Sequence, residues 1–82
     1  MESTDKLKEI FMNLFLISSE DIHEKLSPDD VDNWDSMQHL NLILAIEEEF
    51  KVSVTPEEST EMLNFELIDL LIKEKLKKVE KS

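Results

Sequence analysis

The stretch Asn33-Trp34-Asp35-Ser36-Met37-Gln38-His39-Leu40-Asn41-Leu42-Ile43-Leu44-Ala45-Ile46-Glu47-Glu48-Glu49-Phe50 decides the fold. A polar, acidic approach ends in the Asp35-Ser36 pair, and an uninterrupted helical pattern starts there. Ser and Asp are favoured at helix N-caps because a side-chain oxygen accepts from a first-turn backbone N–H that has no intrahelical partner. One reading of Ser36 is therefore a plain cap. At about 100° per residue, Leu42, Ile46, His39, Phe50 and Ile43 share one arc, a core face. On the opposite side lie Glu47, Leu40, Lys51, Leu44, Met37, Glu48 and Asn41. There Met37, Leu40 and Leu44 form an apolar stripe flanked by carboxylates. A helix packed on one side has no folding reason to be apolar on the other, so a charge-rimmed stripe suits a protein contact. Ser36 sits at its head.

Before this helix, Leu7, Ile10, Phe11 and Leu14 keep the i, i+3, i+4, i+7 rhythm of a first helix reaching about Leu16, with Phe15 widening its apolar side. Ser3 or Thr4 is its expected cap. From Ser18 to Trp34 the periodicity breaks. Ser18-Ser19-Glu20-Asp21 closes the first helix or caps a short turn, and Ser27-Pro28-Asp29-Asp30 is a turn signal. Ile22 and Leu26 are isolated apolar anchors. A connection this long is functional or held down by its own side chains, and Val31 and Trp34 are the expected pins. The acids from Asp29 to Asp35 do not make an EF-hand loop. Counted from Asp30, Trp34 stands at the fifth position, Asp35 at the invariant glycine and Asn41 at the required glutamate.

After Phe50, Val52 and Val54 punctuate a short extended link and are expected to pack inward. Thr55-Pro56-Glu57-Glu58 is a helix start, with a Thr cap, Pro at the first position and acids in the first turn. This third helix is short, its apolar residues arriving only at Met62 and Leu63. Asn64 is then placed to cap a last helix whose apolar set is Phe65, Leu67, Ile68, Leu71, Ile72 and Leu76. Lys73, Lys75, Lys77 and Lys78 crowd its end, where cations suit the helix dipole, and the tail from Val79 is expected to fray. Three main helices plus one short helix, without a strand pattern, predict an all-α small antiparallel bundle forming a single domain over residues 1–82.

Composition narrows the function. The chain has no Cys and no Gly, which removes disulfides, thiolate metal sites and glycine-rich phosphate loops. The two histidines, without Cys, leave little for a zinc site, so no metal is expected. Residues 20–66 carry 14 Asp/Glu against the two lysines Lys25 and Lys51, a net of −12, so the whole net charge of −11 sits there and the two ends together are close to neutral. Such a field repels nucleic acid and anionic membranes and draws in basic protein surfaces. The apolar run Ile10–Ile17 follows Glu2, Asp5 and Glu9 and is too short to span a bilayer, so a cytoplasmic monomer without stable membrane association is expected.

At Asp35-Ser36-Met37 the sequence resembles the acyl carrier protein family, including its peptidyl and D-alanyl carriers, with Met in place of Leu in the Asp-Ser-Leu signature. The helix running to Ala45-Ile46-Glu47-Glu48-Glu49-Phe50, the Pro56-Glu57-Glu58 segment, the length and the serine position carry the resemblance over nearly the whole chain. The resemblance implies a carrier rather than an enzyme. Ser36 would bear a 4′-phosphopantetheine arm from coenzyme A, whose thiol holds an acyl group as a thioester. A separate phosphopantetheinyl transferase would attach it, reading Asp35 as part of the signature. Met37, Leu40, Asn41, Leu44, Glu47 and Glu48 would form the face met by acyl-activating or acyl-transferring enzymes with basic docking patches. Leu42, Ile43, Ile46, Val54, Met62, Leu71 and Ile72 match positions that shelter an acyl chain in many members, and each also reads as ordinary core. The family's fold is the same kind of helical bundle. Asn33-Trp34 stands where many fatty-acid carriers have a glycine and a small or apolar residue, and Gln38 and Asn41 stand where acids are common. These departures point to a specialised fatty-acid, polyketide or related pathway, or to a D-alanyl-type carrier.

Two other readings compete. A hydrolase would need a base bonded to Ser36, a group orienting that base and an oxyanion hole, whereas His39 falls on the core arc and His23 lies in the loop. An unmodified acidic adaptor would bind a basic partner through Met37, Leu40 and Leu44, with Ser36 only a cap. Whatever the function, a net charge of −11 on so small a core predicts a melting temperature that rises with moderate salt or divalent cations. Thermal unfolding followed by circular dichroism across ionic strength checks this; a flat response counts against it.

Overall fold

The computed structural model describes residues 2–81, with side chains over residues 3–77. Its elements are α1 (Glu2–Phe15), a 3₁₀ turn (Ser19–Asp21), α2 (Ser36–Phe50), α3 (Pro56–Glu61) and α4 (Phe65–Lys81), with no strand among the described residues. Helix directions follow from the contacts. Thr4 reaches Asp69 while Phe11 meets Phe65, so α1 and α4 run antiparallel. Lys6 pairs with Glu49 while the carbonyl of Leu14 meets Gln38, so α1 and α2 do too.

The core is centred on aromatic rings. Phe11 packs edge-on against Phe15, Trp34 and Phe65, with ring centroids 5.3, 5.4 and 5.1 Å away. Edge-to-face contacts of this kind add to the burial of three large apolar surfaces. Leu7, Leu42, Ile46, Ile68 and Ile72 close around them. Helices α1, α2 and α4 thus bury the inward stripes that their periodicity marks, α3 buries no side chain, and Ile22, Leu26, Val31 and Trp34 pin the long connection to the same core.

Three expectations are corrected. Helix α1 begins at Glu2, so Ser3 and Thr4 lie inside it, and the Thr4 hydroxyl donates to the Asp69 carboxylate at 3.0 Å instead of capping. Leu67 is 39% exposed because Phe65, Ile68 and Ile72 already fill the inward face of α4. Leu63, beyond the end of α3, is likewise exposed, whereas Met62 is buried. The tail expected to fray from Val79 is helical backbone to Lys81, and its side chains, with that of Lys78, lie outside the described residues.

Without glycine, the chain ends helices at a cost. Leu16 after α1 and Lys51 after α2 both adopt the left-handed conformation, each at φ 58°. Cβ crowding makes this unfavourable by about 1–2 kcal/mol per residue. The orphaned carbonyls at the end of α1 find side-chain donors: Gln38 donates to Leu14 O at 3.2 Å and Asn33 to Phe15 O at 3.3 Å. At the start of α4, Phe65 and Glu66 donate to loop carbonyls of Leu26 and Glu24, and Leu67 donates to the Asn64 side chain, the expected cap. The loop is thereby fastened to the ends of two helices.

Helix α3 is held by polar contacts. Thr55 and Glu58 exchange hydrogen bonds in a capping box, and Lys75 of α4 reaches Glu58 at 2.7 Å. The Lys75 hydrogen bond, helped by the Thr55 backbone N–H, holds the Glu58 carboxyl below the ordinary glutamate range. A carboxyl lowered by folding stabilises the fold above its unfolded value, and that stabilisation is lost as pH falls through the folded value. Glu58→Gln should lower the melting temperature at neutral pH and converge with the parent in acid. Melts from neutral pH to below the carboxylate range check this; a gap that persists in acid would assign the effect to packing.

Candidate functional site

The site lies where the pinned loop turns into α2. Trp34 is buried against Phe11 and Phe15, and its indole N–H donates to His39 Nδ1 at 3.0 Å. Indole is a donor only, so Nδ1 must accept and the imidazole proton sits on Nε2. That nitrogen lies 3.1 Å from the carbonyl of Ser59 in α3 and donates to it. One histidine therefore joins loop, α2 and α3. With both ring nitrogens spent on these partners, His39 is not the base a hydrolase would require.

Asp35 and Ser36 divide their roles differently from the cap reading. Asp35 is the N-cap: its backbone is extended, and Oδ1 accepts from Gln38 N at 2.9 Å. Ser36 is the first helical residue, exposed, and its hydroxyl has no hydrogen-bond partner among the described residues. The helix thus starts without help from the Ser36 side chain. Its hydroxyl stands free at the positive end of the α2 dipole, where an ester-linked phosphate would be stabilised. Beside it opens a cleft of ≈ 570 Å³ walled by Pro28, Trp34, His39, Leu40 and Ser59. A free hydroxyl, a helix N-terminus and an adjoining cleft are together compatible with a phosphate-linked arm at Ser36.

The stripe below Ser36 faces solvent. Met37, Leu40 and Leu44 are 73%, 62% and 61% exposed, and Glu48 is exposed beside them. Glu47 is half-buried, since its carboxylate accepts from Val54 N at 2.8 Å and holds the extended link after α2. Asn41 is exposed and donates to Gln38 Oε1 at 2.8 Å, steadying the amide that bonds to Leu14 O. The Gln38 and Asn41 amides thus do internal work that carboxylates, lacking a donor, could not. Periodicity misses these contacts because Leu14 and Gln38 meet only when α1 and α2 pack.

The separation of roles at the start of α2 is measurable. Asp35→Ala should destabilise the protein by about 1 kcal/mol, the usual loss of a cap. Ser36→Ala should stay within about 0.5 kcal/mol of the parent, as for a surface substitution. Denaturant unfolding of the two variants checks the order; a larger loss at Ser36 would return the cap to the serine.

No protein-family model matches this chain, and no curated protein matches it. Among solved structures it is similar to the solution NMR structure of holo acyl carrier protein from Geobacter metallireducens. The TM-score is 0.88 at 30% sequence identity, over 99% of this chain and 93% of that chain. A likeness that runs the length of both chains, in sequence as well as in fold, puts this chain in the acyl carrier protein family.

Proposed function

We propose that this chain is a single carrier domain over residues 1–82, with Ser36 as the attachment point of a 4′-phosphopantetheine arm derived from coenzyme A. The observation that carries the reading is the free, exposed Ser36 hydroxyl, left unbonded because Asp35 takes the cap. When bound, the group supplies a thiol that holds an acyl group as a thioester, a function no side chain of this cysteine-free protein can perform. Asp35 fixes the first turn of α2 and thereby the position of the Ser36 oxygen. The unshared backbone N–H groups of that turn favour a phosphate on it.

Met37, Leu40, Asn41, Leu44, Glu47 and Glu48 make the partner face in this reading. The apolar stripe supplies contact area, and the surrounding carboxylates steer basic docking patches of a phosphopantetheinyl transferase and of acyl-activating or acyl-transferring enzymes. Association of this kind is fast and sensitive to salt, which suits a cytoplasmic carrier that must leave each partner. The amides of Gln38 and Asn41 reduce the charge of the upper half of this face, favouring enzymes of a specialised fatty-acid, polyketide or related pathway. An unmodified adaptor would use the same stripe, but it gives no reason for a serine hydroxyl left free at its head.

Incubation with coenzyme A and a broad-specificity phosphopantetheinyl transferase, followed by intact mass measurement, tests the proposal. The parent should gain one phosphopantetheinyl group and Ser36→Ala none. No gain on protein shown by circular dichroism to be folded would favour the adaptor.

A further inference from the structure

The cleft beside Ser36 is walled by His39 of α2 and Ser59 of α3, and His39 bridges the seam between these two helices. Its imidazole takes the Trp34 indole N–H on one side and donates to the Ser59 carbonyl on the other, at 3.0 and 3.1 Å. The indole and imidazole rings are 20° from parallel with centroids 6.1 Å apart, the edge-to-edge arrangement that an in-plane N–H···N bond requires. Opening the seam would break the bond from His39 Nε2 to the Ser59 carbonyl and leave that imidazole N–H without its partner in a part-buried setting, where an unmade hydrogen bond is costly, while the Trp34 bond on the loop side keeps the ring in place. Helix α3 is held from its far side as well, by Lys75 on Glu58. Behind the seam, Leu42, Ile46, Ile68 and Ile72 are almost wholly buried and packed into one cluster with the aromatic rings. An alkyl chain entering there would have to displace close-packed side chains.

The cleft in front of the seam is open. Its walls combine the apolar surfaces of Trp34, Pro28 and Leu40 with the polar edges of His39 and Ser59. Resting on the carrier reading above, we propose that His39 is a latch that keeps the acyl group of the loaded carrier outside the bundle. The group then lies in the Trp34–Leu40 cleft, and the carrier is suited to short acyl groups. His39 is a positioning residue: it closes the route inward and sets the wall against which the arm lies. A long alkyl group on Ser36 gains no shelter from the core and stays exposed to solvent or to the partner.

The test uses methyl-labelled protein loaded by a transferase with phosphopantetheine bearing acetyl or octanoyl groups, with intact mass confirming each load. Failure to load is read at that step and bears on the carrier reading alone. In the loaded parent, both acyl groups should shift the signals of Leu40 and the Trp34 indole. Neither should move the methyls of Leu42, Ile46, Ile68 and Ile72. In His39→Ala, the octanoyl group should move those core methyls. His39→Gln, which keeps an acceptor for the indole and a donor for Ser59, should restore the parent pattern. Core methyls that respond to octanoyl in the parent as strongly as in His39→Ala would overturn the proposal, as would an unchanged pattern in His39→Ala. Should His39→Ala lose its methyl dispersion, Trp34→Phe keeps a ring and withdraws the indole donor. Core shifts on octanoyl loading of that variant support the latch, and none counts against it.

Discussion

Trp34 couples the core to the site. Its ring lies against Phe11 and Phe15, so its position is set by the same packing that brings α1 and α4 together. Its one polar atom must be satisfied once the ring is buried, and His39 is the partner within reach. That bond orients the imidazole toward Ser59 and so draws α3 against α2. The residue after Trp34 is the cap and the next is the free serine. A ring anchored for packing reasons therefore fixes where Ser36 emerges.

The long connection between α1 and α2 illustrates how a chain without glycine or cysteine organises irregular backbone. Its apolar pins go into the core, and its carbonyls and amides meet helix-end groups that lack an intrahelical partner: Leu26 and Glu24 receive the start of α4, and Asn33 serves the end of α1. Among the described residues no buried side-chain polar atom lacks a hydrogen-bond partner. The strain at Leu16 is tolerated because Asn33 holds the chain just before it, and at Lys51 because the Glu47 carboxylate holds Val54 N across the turn.

The acidic sector has a division of labour that net charge conceals. Glu47 holds the link after α2, Glu49 pairs with Lys6, and Glu58 joins α3 to α4. Glu48 stays exposed beside the apolar stripe. Charge that looks uniform in sequence thus serves partly to position helices and partly to present a surface. The second use leaves self-repulsion that a small core must offset.

Sequence alone determined the helices and much of what they present. The 3.6-residue periodicity marked Phe11, Leu42, Ile46, Ile68 and Ile72 as core and Met37, Leu40 and Leu44 as an outward stripe, and helix-start signals marked Thr55 and Asn64 as caps, because these are local regularities of a single helix. Tertiary structure decided what depends on two elements meeting. Asp35 and not Ser36 caps α2, since neighbouring residues compete for the same N–H groups and backbone conformation chooses between them. Thr4 turns to Asp69, Gln38 to Leu14 and His39 to both Trp34 and Ser59, pairings across helices that no spacing along one chain encodes. Leu67 is left outside because the inward face of α4 is already filled, a limit set by the volume the neighbouring helices leave.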